Sequence, residues 1–187
     1  MRIACLSVLS VLLVPVAATA SPLWDLGGDD FRRGTWALEL DGAFIQPIRF
    51  SEDKFYVANF DAGYYIADGV GLSAEVTGYF ADQPNDDTGI LGAGVLLRWH
   101  FLMAERYSLF VDGGMGFSIA EDEVPDGGTH FNYTPHGGVG ATIRLRDDVH
   151  LIGGARFFHL SNGNLHGRDQ NPSQDGVQYY LGVVFEL

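Results

Sequence analysis

Leu91-Gly92-Ala93-Gly94-Val95-Leu96-Leu97-Arg98-Trp99-His100-Phe101 is the run whose reading decides the fold. In an extended chain, Leu91, Ala93, Val95, Leu97, Trp99 and Phe101 point one way, while Gly92, Gly94, Arg98 and His100 point the other. One face is apolar throughout; the other carries glycine and charge. A helix would not separate residues with a period of two, so the run is a strand whose faces meet different surroundings.

The pattern repeats outward from this strand in both directions. Residues 34–47, 55–67, 70–80, 88–101, 107–119, 130–146, 149–159 and 176–187 each alternate, which gives eight segments. The links after the second, fourth and sixth are short. Those at 48–54, 82–87, 120–129 and 162–175 are longer and polar. Alternating short turns and long loops between an even number of strands specify an all-β fold, an eight-stranded antiparallel up-and-down transmembrane β-barrel. Glu39, Asp41, Asp61, Glu75, Arg98, Asp112 and Arg144 fall opposite the large apolar residues, so the charges are expected to pair inside. A soluble lipocalin is the rival barrel, and Gly34-Thr35-Trp36 matches that family's first-strand Gly-x-Trp. The apolar face carries almost no charge, however, which favours lipid outside.

Residues 1–20 have the form of a signal peptide: Arg2, an apolar run over 3–16, then Ala18-Thr19-Ala20 as a small-residue cleavage site. Residues 21–187 then make a single barrel domain, exported to the bacterial outer membrane. The one cysteine, Cys5, lies in the leader, so the mature chain offers neither disulfide nor thiolate. Without Arg2, ten basic residues stand against twenty-four acidic ones. Such a balance excludes nucleic acid, whose phosphates demand lysine and arginine.

His159-Leu160-Ser161 closes the seventh strand. Residues two apart share a face, so the pair sets an imidazole beside a hydroxyl, a base beside a latent nucleophile. Asn162, Gly163 and Asn164 then break the strand at the long-loop end. By the alternation of that strand, His159 and Ser161 share parity with Leu151, Ala155 and Phe157, on the side expected to face lipid.

His159-Leu160-Ser161-Asn162-Gly163-Asn164, followed by Asn171-Pro172 and Asp175-Gly176-Val177, resembles the lipid A 3-O-deacylase (PagL) family of eight-stranded outer-membrane esterases. The resemblance implies that His159 is the base and Ser161 the nucleophile. It also implies that backbone amides at Asn162 and Asn164 form the oxyanion hole. The implied reaction cleaves the ester at position 3 of lipid A, within lipopolysaccharide of the outer leaflet, through an acyl-enzyme, with no metal or organic cofactor. The family's third member is a glutamate shortly after the Asp-Gly step, where this chain has Gln178. Gln178 is therefore expected to orient the imidazole as a neutral group, with Asp175 or Asp169 reaching in from the loop as alternatives. Arg168, the one cation in that loop, is expected to bind a substrate phosphate. His100, His136, His150 and His166 have no partner at metal-ligand spacing, and no metal site is expected. A structural or adhesive barrel retaining the motif as a relic is the rival function, and a homodimer is left open.

Overall fold

The structure, a computed structural model, describes residues 21–48, 53–84, 87–165, 167 and 171–187; the expected signal peptide lies outside these residues. Ten strands follow one another: β1 (Trp24–Leu26), β2 (Trp36–Pro47), β3 (Lys54–Ala67), β4 (Val70–Asp82), β5 (Thr88–Ala104), β6 (Tyr107–Val124), β7 (Thr129–Tyr133), β8 (His136–Arg146), β9 (Val149–Leu160) and β10 (Gln174–Glu186). From β2 through β6, and then β8 to β10, each strand pairs antiparallel with the next, and β10 returns to pair with β2. The ring of eight long strands is therefore closed. Closure leaves no unpaired edge in the wall, the condition under which strands can cross a bilayer.

The expected sixth segment, 130–146, is two strands. Pro135 has no N–H to give to a ladder, and the chain breaks there between β7 and β8. β7 pairs with the end of β6, which runs on to Val124, so the expected 120–129 loop is a hairpin extending beyond the ring. The lead-in before β2 is also more ordered than its polarity suggests. Trp24, Asp25 and Leu26 run parallel to Leu102, Met103 and Ala104 of β5. Phe31 then enters the short-turn end of the barrel, 2% exposed, and stacks on His100 with ring centroids 4.2 Å apart.

Alternation sorts the side chains as the sequence requires. Leu40, Phe60, Leu91, Met115 and Leu181 lie exposed on the outer wall. Inside there are three layers. At the long-loop end Ile45, Phe55, Val57, Ile90, Val124, Phe158 and Leu160 pack together. At the short-turn end the cluster is Phe31, Ala37, Tyr65, Met103, Phe110, Ile152, Tyr180 and Val184. Between them lies a charged belt. Arg98 reaches Glu39 at 2.5 Å and Asp112 at 3.3 Å, and Arg156 holds Asp112 at 2.8 Å while its guanidinium lies 4.3 Å from the Tyr180 ring centre.

Arg144 departs from this belt, sitting at the short-turn end and binding Asp30 of the lead-in at 2.5 Å. In the belt itself glycine makes room between neighbouring strands; a Cβ on Gly138, which pairs with Asp112 and Arg156, would collide with the Ala155 carbonyl and the Arg156 backbone.

A buried carboxylate that loses a cation keeps its desolvation cost without its attraction. Arg156→Met should therefore lower barrel stability by about 3 kcal/mol, read as a lower denaturant midpoint in detergent micelles.

Candidate active site

Phe158 and Leu160 are held in the upper apolar layer, 1% exposed each, and this fixes which way the intervening residue points. His159 is thereby turned to the outer wall, with its side chain 30% exposed. Its backbone amide donates to the Pro135 carbonyl at 3.0 Å. Ser161 is pinned next: its amide donates to the Tyr133 carbonyl at 3.1 Å, and the Tyr133 amide donates back to the Ser161 carbonyl at 2.7 Å. The hairpin beyond the ring thus braces the serine.

The side chains form a relay. His159 Nε2 and Ser161 Oγ are 2.9 Å apart, and His159 Nδ1 and Asp175 Oδ1 are 2.6 Å apart. Asp175 stands directly opposite His159 in the β9–β10 register, so the pair is set by strand pairing and not by loop chance. A carboxylate is only an acceptor, so it fixes the proton on Nδ1 and leaves the Nε2 lone pair facing the serine hydroxyl. A nucleophile, a base and an orienting carboxylate within hydrogen-bond reach make the arrangement needed for acyl transfer.

Gln178 does not belong to this relay. It lies an odd number of residues beyond Asp175 on β10, hence on the opposite face, and is buried inside the barrel opposite Arg156. Asp175, the alternative from the sequence, occupies the orienting place. Asp169 and Arg168 lie outside the described residues, as does His166.

The amides expected to form an oxyanion hole are engaged. Asn162 N–H donates to Asn171 Oδ1, and Asn164 N–H to Asn162 Oδ1, both at 2.9 Å. Asn171 Nδ2 in turn donates to Asn164 Oδ1 at 3.1 Å, and Asn162 Nδ2 to Thr129 Oγ1 at 3.1 Å. Asn171 and Thr129, neither of them given a role from the sequence, hold the turn after the serine, and Gly163 and Asn164 take positive φ values of 65° and 61° within it. An oxyanion developing at Ser161 would have to compete with Asn171 Oδ1 for the Asn162 amide.

Among the described residues, two groups bring carboxylates or histidine to metal-ligand spacing: Asp30, His150 and Glu186, and Glu39, Asp41 and Asp61. Neither includes a member of the relay. His150, unpaired in the sequence pattern, gains its acidic neighbours only through the folded lead-in and the end of β10.

The family model described as lipid A 3-O-deacylase (PagL) matches residues 49–184. No curated protein matches the chain in sequence. Among solved structures, Neisserial surface protein A (NspA) has a TM-score of 0.63 at 16% identity, covering 83% of this chain and 100% of its own. The outer membrane enzyme PagL has a TM-score of 0.62 at 12% identity, covering 77% of this chain and 97% of its own. The outer membrane protein OprG from Pseudomonas aeruginosa has a TM-score of 0.57 at 13% identity, covering 87% and 99%. At such identities these likenesses speak for the fold, an eight-stranded barrel of the bacterial outer membrane.

If Asp175 orients the base, Asp175→Asn should cut ester hydrolysis by at least about a hundredfold, towards the loss of about ten-thousandfold known for such a change in a catalytic triad. Gln178→Ala should leave the rate within about threefold, because its side chain lies across the wall from the relay. Turnover of a short-chain nitrophenyl ester in micelles measures both.

Proposed function

Since the chain belongs to the lipid A 3-O-deacylase (PagL) family, we propose that it is an outer-membrane serine esterase that removes the ester-linked 3-hydroxyacyl chain at position 3 of lipid A. The observation that carries this reading is the outward-facing relay Asp175–His159–Ser161, with contacts of 2.6 and 2.9 Å. Facing outward matters because the acyl ester of a membrane lipid lies near the headgroup level. The relay sits at the end of β9, at the long-loop rim, where such an ester can reach it laterally.

The chemistry follows from the protons. Ser161 Oγ attacks the ester carbonyl carbon as His159 Nε2 takes its proton, and the negative charge of Asp175 stabilises the resulting imidazolium. The tetrahedral adduct collapses by breaking the bond to the sugar oxygen, to which His159 returns the proton. A water then attacks the acyl-serine, His159 again accepting a proton, and the free 3-hydroxy acid leaves with Ser161 restored. Tyr133 and Phe157, exposed beside the rim at 38% and 51%, offer an apolar bed for the departing chain. Arg168, from the loop after the relay, supplies a cation for a phosphate of the substrate.

One observation favours a barrel without chemistry: the amides of Asn162 and Asn164 are tied up by side chains in the resting turn. Under the esterase reading, the adduct displaces Asn171 Oδ1 and takes the Asn162 amide for itself.

Incubation of the purified barrel with lipopolysaccharide should yield lipid A lighter by one 3-hydroxyacyl chain in the mass spectrum, with the matching free acid in the supernatant. Ser161→Ala and His159→Ala should leave the spectrum unchanged. Unaltered lipid A with the wild-type chain, folded and in mixed micelles, would decide for the structural barrel. A fluorophosphonate ester should likewise label Ser161, and His159→Ala should slow labelling by about a hundredfold or more.

A further inference from the structure

The charged belt inside the barrel does not balance. Among the described residues, Glu39, Asp41, Asp61, Glu75 and Asp112 are buried there with two guanidinium groups, Arg98 and Arg156. Neither arginine hydrogen-bonds Asp41 or Asp61: Arg98 gives its two terminal nitrogens to Glu39 and Asp112 while its Nε is buried without a partner among the described residues, and Arg156 makes its ion pair with Asp112. Glu75 has His136 Nε2 at 3.3 Å. Asp41 and Asp61 receive only a neutral amide, Asn59 Nδ2, at 3.2 and 3.0 Å. Their remaining oxygens, Asp41 Oδ1 and Asp61 Oδ2, are buried without a hydrogen-bond partner among the described residues.

The strand register puts these charges together. Glu39 stands opposite Asp61 in the β2–β3 ladder, and Asp41 follows two residues on along the same face. Like charges directly opposite one another on a sheet repel, and a buried, unpaired carboxylate costs more still. One carboxylate oxygen from each of the three residues lies within 4.8 Å of the others. A cavity of about 10 Å³, large enough for one water, is bordered by Glu39, Asp61, Ser73 and Arg98.

We propose that Glu39, Asp41 and Asp61 bind one hard divalent cation inside the barrel, calcium in preference to magnesium, as a structural ion. An all-oxygen, anionic donor set selects such a cation. Calcium accepts an irregular set of carboxylate oxygens at about 2.3–2.6 Å, whereas magnesium demands a near-ideal octahedron at about 2.0–2.1 Å and gives up its waters reluctantly, which a cavity for one water does not suit. Glu39 keeps Arg98 and still has a lone pair to give, since a carboxylate offers about four acceptor sites. The one water that the cavity can hold adds a further oxygen, and second carboxylate oxygens binding bidentately fill other places in the shell. The other acidic group, Asp30 and Glu186 with His150, needs no ion, since Arg144 answers Asp30 and the Phe31 amide answers Glu186. The site is internal, and the inference stands apart from ester hydrolysis.

The test uses the full mature chain, refolded in lipopolysaccharide-free micelles and stripped with a chelator. Calcium titrated by calorimetry in physiological salt should bind at one ion per barrel, with magnesium at least tenfold weaker. Calcium should raise the melting temperature by several degrees. Asp61→Asn should weaken binding at least tenfold, and without metal it should melt no lower than the stripped wild type, since it removes a repulsion. Asp41→Asn gives the same readout should Asp61→Asn not refold. Glu121→Gln with Asp122→Asn, on the exposed hairpin, should leave binding unchanged. Equal binding by wild type and the Asp61→Asn and Asp41→Asn variants, or a wild-type melt that chelator does not move, overturns the site and leaves protons to neutralise the belt.

Discussion

Every backbone amide that crosses hydrocarbon must find its partner within the protein, because lipid offers none. In this chain the requirement is met by one decisive pairing, the return of β10 onto β2, which turns a row of hairpins into a ring. A closed wall has two sides and no edges. From that follows the alternation of side chains, with leucine and phenylalanine outward and carboxylates, arginines and aromatic plugs inward. The apolar layers at the two ends shield the charged belt from bulk water, which strengthens both its attractions and its unanswered repulsions.

The same wall makes the relay. Because β9 and β10 are locked in register, His159 and Asp175 face each other across one ladder rung, and Ser161 follows at the next outward position. Rigid strands hold such groups more tightly than loops do, and short reach is what lets a base act on a hydroxyl. Two supports outside the ring finish the work. β7 clamps the Ser161 backbone from one side, and Asn171 ties the following turn from the other. The long hairpin of β6 and β7 is thus part of the site's frame as well as a surface feature.

Most of the ring was legible in the period-two pattern, since seven of the eight expected segments are single strands close to the predicted places. The break at Pro135 was signalled by the proline itself, but the continued alternation on either side hid it. The folded lead-in was not legible. Trp24 and Leu26 flank Asp25 in a stretch too short to show a period, and Phe31 is placed by tertiary contacts with His100, Tyr65 and His150. For the orienting acid, parity held the answer: Asp175 shares odd numbering with the outward residues Tyr179 and Leu181, whereas Gln178 does not. Matching by distance from the Asp-Gly step chose Gln178 over the face rule, and the face rule governs a strand. The engagement of the Asn162 amide lay beyond sequence, because it depends on where the loop returns Asn171, whereas that of the Asn164 amide is a local turn closed by the Asn162 side chain.

If the chain cleaves an anionic lipid, as proposed, its own negative charge poses a problem of encounter that the architecture answers. The chain is strongly acidic, with a formal net charge of −13 and acidic residues at the rim such as Asp82, Glu121 and Asp122, so its field repels phosphate-bearing molecules arriving through water. A lipid substrate does not arrive that way. It is already confined to the leaflet that the outer wall displaces, so lateral diffusion brings its ester to the rim at a local concentration that no electrostatic steering need supply. Confinement also orients the ester, which lowers the entropy lost on binding. On this reasoning a relay turned towards lipid has no need of a deep pocket, and under the proposed function the wall itself, with Tyr133 beside the serine and Phe157 further along the same face of β9, would serve as the binding surface.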